Sequence, residues 1–199
     1  GSEMCIRDRY IIDDCINDNI MKHINENFAN VSNGSYSVIK PEVTYALATE
    51  VTSRERFMAL ALLQNRCNVN LYSTDVDERL NNVNNMGYID YYSQMPKAFY
   101  NAKINLNISL KIIQSGIPLR VLDVLACKGF LITNYQAEIM EYFTPGKDLV
   151  VYEDIKDLIA KVQYYLDNED ERLWIADNGY KKVKDNFKVK DRIDSILRN

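Results

Sequence analysis

The sequence predicts an α/β fold: a Rossmann-like parallel sheet of about six strands with helices on both faces, preceded by an N-terminal helix. Three observations support this prediction. From residue 43 onward, short apolar runs alternate about six times with segments of helical periodicity, which is typical of βαβ units. The run 130–132 has no polar position, as expected of a strand buried on both faces. Residues 10–28 carry a single apolar stripe and stand apart from this alternation.

The first helix and the segment after it are predicted from composition. Ile12, Ile16 and Ile20 recur at helical spacing on a polar background within residues 10–28. The tract 30–37 is rich in Asn, Ser and Gly, which favours a loop. We therefore expect an N-terminal helix with a linker over residues 10–42.

The first strand and its helix are predicted over residues 43–65. Residues 43–49 are short and mostly apolar, which favours a strand. Thr52 and Glu55 have the spacing of a capping box, so a helix is expected to start there. Residues 52–56 would then form the loop between this strand and its helix.

The middle of the chain continues the alternation more weakly. Pro96 suits the first turn of a helix. The pattern predicts a second strand at 69–72, a weak third strand at 83–89, a helix at 91–101 and a fourth strand at 104–108.

The stretch 115–134 contains a loop, a helix, a stop and a strand, in that order. Pro118 would start the helix, Gly129 would end it, and 130–132 would be the fifth strand. The remainder predicts a helix at 136–143, a sixth strand at 149–152, a helix from Asp154, another capped near Asn168 and a last helix from about Lys190.

Composition restricts the classes of function. The 199 residues include 47% hydrophobic and 26% charged residues, which indicates a soluble globular chain. No apolar run is long enough for a membrane span, and a net charge of −4 argues against nucleic acid as a partner. Cys5, Cys15, Cys67 and Cys127 are isolated and His23 is far from them, so no metal site is expected. Without a signal peptide, the expected location is cytoplasmic.

Residues 1–9 are set apart from the fold. Gly1 and Ser2 resemble the remnant of a cleaved tag, and residues 2–9 resemble a translated sequencing adapter of the kind that contaminates metagenomic assemblies. We therefore expect the natural reading frame to continue upstream, so that this chain is truncated.

Several familiar chemistries have no signature in the sequence. Neither GxGxxG nor GxxxxGK[ST] occurs, so a dinucleotide or P-loop site is not supported. No Ser–His or Cys–His pair is available for nucleophilic catalysis, and Cys127 fits packing better than attack. The carboxylates have no spacing that indicates a glycosidase pair.

The loops that follow the strands are the candidate binding site. Right-handed crossovers bring these loops to one edge of a parallel sheet, where ligands bind. Three of them carry polar or charged groups, at 52–56, 108–120 and 133–136. Arg54 and Arg56 at a helix start would favour a phosphate between them; the alternative is a capping box with solvated arginines.

The helix in 115–134 carries the second set of candidates. Arg120 and Asp123 share a face near its N-terminus, where Arg120 could meet phosphate and Asp123 could accept bonds from sugar hydroxyls. The alternative is a surface ion pair worth a few tenths of a kcal/mol, on the order of 0.2–0.5. Asn134, Tyr135 and Gln136 follow a buried strand, where ligand contact and polar loop filler are both common.

From residue 45 onward the chain resembles the C-terminal half of GT-B glycosyltransferases, most of all the CgeB-like, glycosyl transferases group 1 type. The core of the resemblance is Ile117-Pro-Leu-Arg-Val-Leu-Asp-Val-Leu-Ala-Cys-Lys-Gly-Phe-Leu-Ile-Thr-Asn134. Segments 52–56, 87–109 and 141–152 resemble further landmarks in the family's order.

The resemblance implies a donor site for a nucleotide-sugar. It places the ribose on Asp123, the diphosphate near the Gly116 loop and Arg120, and the base near Tyr88. It also assigns donor phosphate to the loop that holds Ser53, Arg54 and Arg56. The full set of candidate donor-binding residues is Ser53, Arg54, Arg56, Tyr88, Gly116, Arg120, Asp123, Asn134, Tyr135 and Gln136.

The sequence departs from the family pattern in two places. Gln114, Ser115 and Gly116 stand where a second acidic residue is usual, and Lys128 is inserted before Gly129. The way in which the sugar hydroxyls are held, and hence the sugar, does not follow from the resemblance.

The resemblance therefore implies a hexosyltransferase-like fragment that transfers sugar from a nucleotide-sugar to an unknown acceptor hydroxyl, without metal or other cofactor. Residues 43–199 would be the donor-binding domain, and the acceptor-side base would lie in an absent N-terminal domain, which leaves this chain inactive alone and able to self-associate through the uncovered surface. The alternative from a different class is a non-catalytic Rossmann-like interaction module.

Overall fold

The computed structural model describes residues 12, 14–34, 36–113 and 116–188. Two compact units divide the chain: the first runs to Glu55 and includes Leu110–Gln114, and the second comprises Arg56–Ser109 and the chain from Ser115 onward. In chain order the elements are α1 (Asp18–Ser32), α2 (Lys40–Leu63), β1 (Asn70–Leu71), β2 (Asn84–Asn85), α3 (Met95–Asn101), β3 (Asn105–Asn107), α4 (Leu119–Ala126), β4 (Leu131–Asn134), α5 (Ala137–Tyr142), β5 (Val150–Tyr152), α6 (Ile155–Asp167) and α7 (Glu169–Asn186).

The predicted N-terminal helix is present as α1 in the first unit. The Asn17 side chain caps it by accepting a hydrogen bond from the Ile20 N–H. The helix extends into the tract that was expected to be a loop and ends at Asn33, whose φ of 51° is left-handed. Asn tolerates that conformation better than most residues, so the polar tract supplies a helix stop.

The first predicted strand is wrong, because residues 43–49 lie inside α2, a continuous helix of 24 residues. Its start is at Lys40, where the Ile39 N–H donates to the Glu42 carboxylate at 3.0 Å and Pro41 occupies the first turn. A short apolar run fits a helix as well as a strand. The capping box predicted at Thr52 and Glu55 is therefore also wrong.

The strands of the second unit are parallel, but they do not form the single sheet of about six strands that the sequence predicts. Among the described residues there are five strands in two sheets, of order β1-β2 and β3-β4-β5. In the larger sheet, Asn107 pairs with Thr133 and Asn134 pairs with Tyr152. The second to sixth predicted strands are each confirmed in position, although they are short.

Both faces of the larger sheet are covered, as predicted. Successive residues of a strand point to opposite faces, and β4 is buried throughout. Its Leu131 belongs to one hydrophobic cluster with α4, α5 and α7, whereas Ile132 belongs to another with α6 and the end of α2. The sheet therefore lies between two apolar layers.

Helix α4 ends differently from the sequence prediction. Lys128, with φ 58°, takes the left-handed position, and the Gly129 N–H closes back onto the Val124 carbonyl at 3.0 Å. Gly129 is needed for close packing instead: a Cβ there would lie 2.7 Å from Asn105 Nδ2 and 2.9 Å from the Phe99 carbonyl oxygen.

Helices α6 and α7 lie where the sequence predicts them, but Asn168 makes no side-chain capping hydrogen bond to α7. Asp154 caps α6 by accepting hydrogen bonds from the Lys156 and Asp157 N–H groups, and α7 begins directly after Asn168. Helix α7 packs on α4 and on α6. The last helix predicted, from about Lys190, lies outside the described residues.

Candidate functional site

Buried polar side chains lie at and just beyond the carboxyl ends of β3 and β4, at one edge of the larger sheet. The Asn107 Nδ2 donates to Ser109 Oγ at 2.8 Å and to Thr133 Oγ1 at 3.0 Å. The Asn134 Oδ1 accepts from the Ser109 N–H at 2.9 Å. These hydrogen bonds connect the carboxyl ends of the neighbouring strands β3 and β4.

Gln136 extends this edge with an unsatisfied amide. The residue is only 2% exposed, and neither its Oε1 nor its Nε2 has a hydrogen-bond partner within the described residues. A buried polar group without a partner costs about 1–3 kcal/mol. A molecule that offers it a donor and an acceptor would recover that cost.

The charged pair of α4 is held by the segment that precedes and includes α3. The Tyr91 hydroxyl donates to Asp123 Oδ2 at 2.9 Å. The Arg120 guanidinium lies 5.3 Å from the centre of the Phe99 ring and contacts the Met95 sulfur. Within the described part of the chain, no ion pair joins Arg120 to Asp123, so each remains available to a ligand.

The loop before α4 presents its backbone to a carboxylate. The N–H of Gly116, whose φ is 92°, donates to Glu138 Oε2 in the first turn of α5. Glycine adopts this φ without strain. An anion therefore already occupies the N–H that the resemblance assigns to the donor diphosphate.

The Asp123 carboxylate helps to raise the pKa of two neighbouring groups, the Tyr91 hydroxyl and the Cys127 thiol. The hydrogen bond to Asp123, together with burial and the carboxylate's charge, raises the pKa of the Tyr91 hydroxyl. Burial, with a smaller effect of the Asp123 charge, raises the pKa of the Cys127 thiol. Tyr91 thus stays a donor at neutral pH, and Cys127 behaves as a packed thiol.

The loop predicted to hold Ser53, Arg54 and Arg56 does not exist, since all three lie within α2. In the first unit, Arg54 Nε donates to Glu50 Oε1 at 2.7 Å and Ser53 is exposed. In the second unit, Arg56 donates twice to the Ile108 carbonyl, at 3.1 and 2.7 Å. These arginines are not at a helix start, so the helix dipole gives no reason for an anion between them.

The other candidate residues described by the structure lie in the second unit. Tyr88 is largely exposed, Tyr135 is half-buried directly after β4, and Asn134 belongs to the polar network at the strand ends. Sequence reasoning missed Tyr91 and Glu138. Glu138 carried a weak signal as an acid in the first turn of a predicted helix, whereas no local pattern linked Tyr91 to Asp123.

Two other kinds of feature are absent from the described residues. They contain no group of three or more His, Cys, Asp or Glu side chains placed to hold a metal ion. None of the helices described is long and apolar enough to cross a membrane.

Comparison with known protein families identifies a match. A family model described as glycosyl transferase-like matches residues 54–198. This range contains the whole carboxyl edge of the larger sheet and the charged face of α4. None of the curated proteins matches the chain.

Proposed function

The chain belongs to the glycosyl transferase-like family, and from this membership we propose that its second unit binds a nucleotide-sugar donor for transfer to an acceptor hydroxyl. Family membership supports sugar transfer as the class of reaction. The GT-B architecture, the CgeB-like subtype, a hexose as the sugar and a cytoplasmic setting are parts of the proposal that come from the resemblance in sequence.

The observation that carries the proposal is the polar carboxyl edge of the larger sheet. The chain leaves β3 at this edge and enters α4 from it, so the N-terminal end of α4 lies there with Arg120, and Asp123 follows three residues later. The contact between Gly116 and Glu138 brings the loops after β3 and β4 together at the same edge. A cation and backbone N–H groups can bind the diphosphate of a sugar nucleotide, and a carboxylate can accept hydrogen bonds from its ribose hydroxyls.

In the proposed reaction, the acceptor hydroxyl oxygen attacks the anomeric carbon of the donor. The bond from that carbon to the diphosphate oxygen breaks, the nucleoside diphosphate leaves with the electron pair, and the hydroxyl proton passes to a base. Arg120 and the Gly116 N–H would stabilise the charge that develops on the diphosphate, and Asp123 would orient the ribose. The remaining guanidinium N–H groups of Arg56 are further candidates for phosphate.

The acceptor and its base are proposed to lie on another domain. We therefore expect this chain to bind the nucleotide part of the donor and to turn over little. The carboxylate of Glu138 must give up the Gly116 N–H when a diphosphate binds there. Nucleotide affinity, rather than activity, is consequently the quantity to measure.

Calorimetric titration with UDP, GDP, ADP and CMP tests the proposal. We expect at least one of them to bind with a dissociation constant of about 1 mM or lower. Arg120→Ala should weaken binding by at least about tenfold, because hydrogen bonds to charged groups contribute about 1.5–3 kcal/mol. The matched control is Arg66→Ala, which removes an exposed arginine whose one hydrogen bond among the described residues goes to the Leu62 carbonyl at the end of the preceding helix.

Absence of binding by all four nucleotides would contradict the proposal. Binding that Arg120→Ala leaves unchanged would contradict the placement of the site. The first result would favour the non-catalytic interaction module.

A further inference from the structure

The segment 90–101 touches both charged residues of α4. Tyr91 donates to Asp123, and Met95 and Phe99 contact Arg120. The same segment is itself held at its start, since Asp90 Oδ1 accepts from the N–H of Ser93 at 2.7 Å. A structured segment of the chain thus lies against the face of α4 on which the proposed function depends.

Tyr91 contacts Asp123 in a manner that leaves the carboxylate usable. It bonds Oδ2, and Oδ1 accepts no hydrogen bond from any of the described residues. A carboxylate on a helix surface otherwise samples several side-chain rotamers, and ordering such a side chain costs binding free energy. A phenol hydroxyl that holds one oxygen reduces that cost and directs the other oxygen outward.

We propose that Tyr91 is a positioning residue, which orients the Asp123 carboxylate for the hydroxyls of the donor's ribose. This inference rests on the proposed function and adds a residue outside the predicted site. It requires that the two side chains act as a unit, so that the contribution of Tyr91 to binding exists only while Asp123 is a carboxylate.

The neighbouring Tyr92 provides a matched control. Its ring packs edge-to-face on Tyr91 at 5.1 Å, the residue is 86% exposed, and its hydroxyl has no partner within the described residues. Tyr92→Phe therefore removes a tyrosine hydroxyl one residue away and leaves the bond to Asp123 intact.

A double-mutant cycle tests the inference. The nucleotide that binds wild type most tightly among UDP, GDP, ADP and CMP is titrated into wild type, Tyr91→Phe, Asp123→Ala and the double variant. We expect Tyr91→Phe to weaken binding about three- to tenfold, the value of one hydrogen bond, and to add nothing in the Asp123→Ala background. Tyr92→Phe should bind like wild type, and thermal unfolding of Tyr91→Phe should remain cooperative.

A second titration separates positioning from packing. With the 2′-deoxy form of the same nucleotide, the effect of Tyr91→Phe should become smaller, because one of the hydroxyls that Asp123 receives is gone. An equal loss on the deoxy nucleotide, or an equal loss in the Asp123→Ala background, would assign Tyr91 a purely structural role and overturn the inference.

The remaining outcomes are also decisive. If Asp123→Ala loses affinity while Tyr91→Phe binds like wild type or more tightly, the inference fails and the proposed function stands. If wild type binds no nucleotide at all, both fail together.

Discussion

At the scale of single residues, Gly179 determines how closely α7 packs on the rest of the second unit. A Cβ at this position would collide with the Asp148 carbonyl oxygen and lie 2.8 Å from Leu125 Cδ2. Glycine inside a helix costs about 0.5–1 kcal/mol relative to alanine. The absence of a side chain at Gly179 allows the α7 backbone to lie directly against α4 and the turn before β5, and this close packing offsets the cost.

We expect Gly179→Ala to lower the free energy of unfolding by about 1–3 kcal/mol, because overpacking strains the contact by more than the gain in helix propensity. Chemical denaturation followed by circular dichroism measures this change.

The control for this variant is Asp185→Ala in the same helix, whose side chain is exposed and whose substitution should change stability little. A Gly179→Ala protein as stable as wild type would show that α7 can withdraw from Asp148 without loss.

Individual residues could be predicted where the chemistry is local. Asp154 precedes an amphipathic helix and does cap it, and Pro96 does lie in a first turn. Lys128 could not be predicted as the left-handed residue, because glycine is the usual choice and Gly129 stands next to it. The bond between Tyr91 and Asp123 joins residues far apart in sequence, and no spacing rule describes it.

At the scale of elements, the cap of α6 makes the stability of that helix depend on pH. Hydrogen bonds from the Asp157 and Lys156 N–H groups lower the pKa of the Asp154 carboxyl below its ordinary value of 3.8. The folded state therefore holds this proton less tightly than the unfolded state. The stabilisation is complete above the unfolded pKa and is lost as pH falls through the lower, folded one.

We expect Asp154→Asn to keep the cap and to reduce the pH dependence of stability in this acidic range, because an amide caps without titrating. Free energies of unfolding measured as a function of pH, for wild type and the variant, give the difference in slope. Asp154→Ala serves as the reference without a cap, and it should be less stable than wild type at neutral pH. Equal slopes for wild type and Asp154→Asn would contradict the assignment.

Most elements of the second unit could be predicted, since strands and helices there follow one another with clear turn residues. The error over residues 43–49 has a physical cause. Val43 and Thr49 favour strands by their intrinsic propensity. The helix begins before them, with the bond between Ile39 and Glu42, and it continues through both residues. The sequence Lys40-Pro41-Glu42 is itself typical of a helix start. The spacing of Thr52 and Glu55 indicates a second possible start further along the chain. The misplaced loop then put Arg54 and Arg56 at a predicted helix start, whereas both lie inside α2.

At the scale of the whole molecule, the first unit has several exposed large apolar side chains. No residue of α1 is buried, and Val31 is 85% exposed. Large exposed apolar patches mark interaction surfaces. The other exposed large apolar residues of this unit are Ile20, Phe28, Tyr36, Ile39, Tyr45, Leu47 and Val51.

We expect the chain to self-associate through this surface, with an average mass that increases with protein concentration. Sedimentation equilibrium measures it, and Val31→Glu should shift the distribution towards monomer because a charge would be buried in the contact. Leu173→Glu, at an exposed apolar position of α7, should leave the distribution unchanged. A monomer at every concentration would contradict the prediction.

Strand β4 has a consequence for the order in which the second unit opens. It is hydrogen-bonded on both sides, to β3 and β5, and its alternate side chains belong to the two apolar layers. Leu131 packs in one layer and the adjacent Ile132 packs in the other. Separation of either layer from the sheet would therefore disturb β4 as a whole. Amide hydrogens of Ile132 and Thr133 should therefore exchange with solvent only when the whole unit unfolds, and their exchange rates measure its global stability.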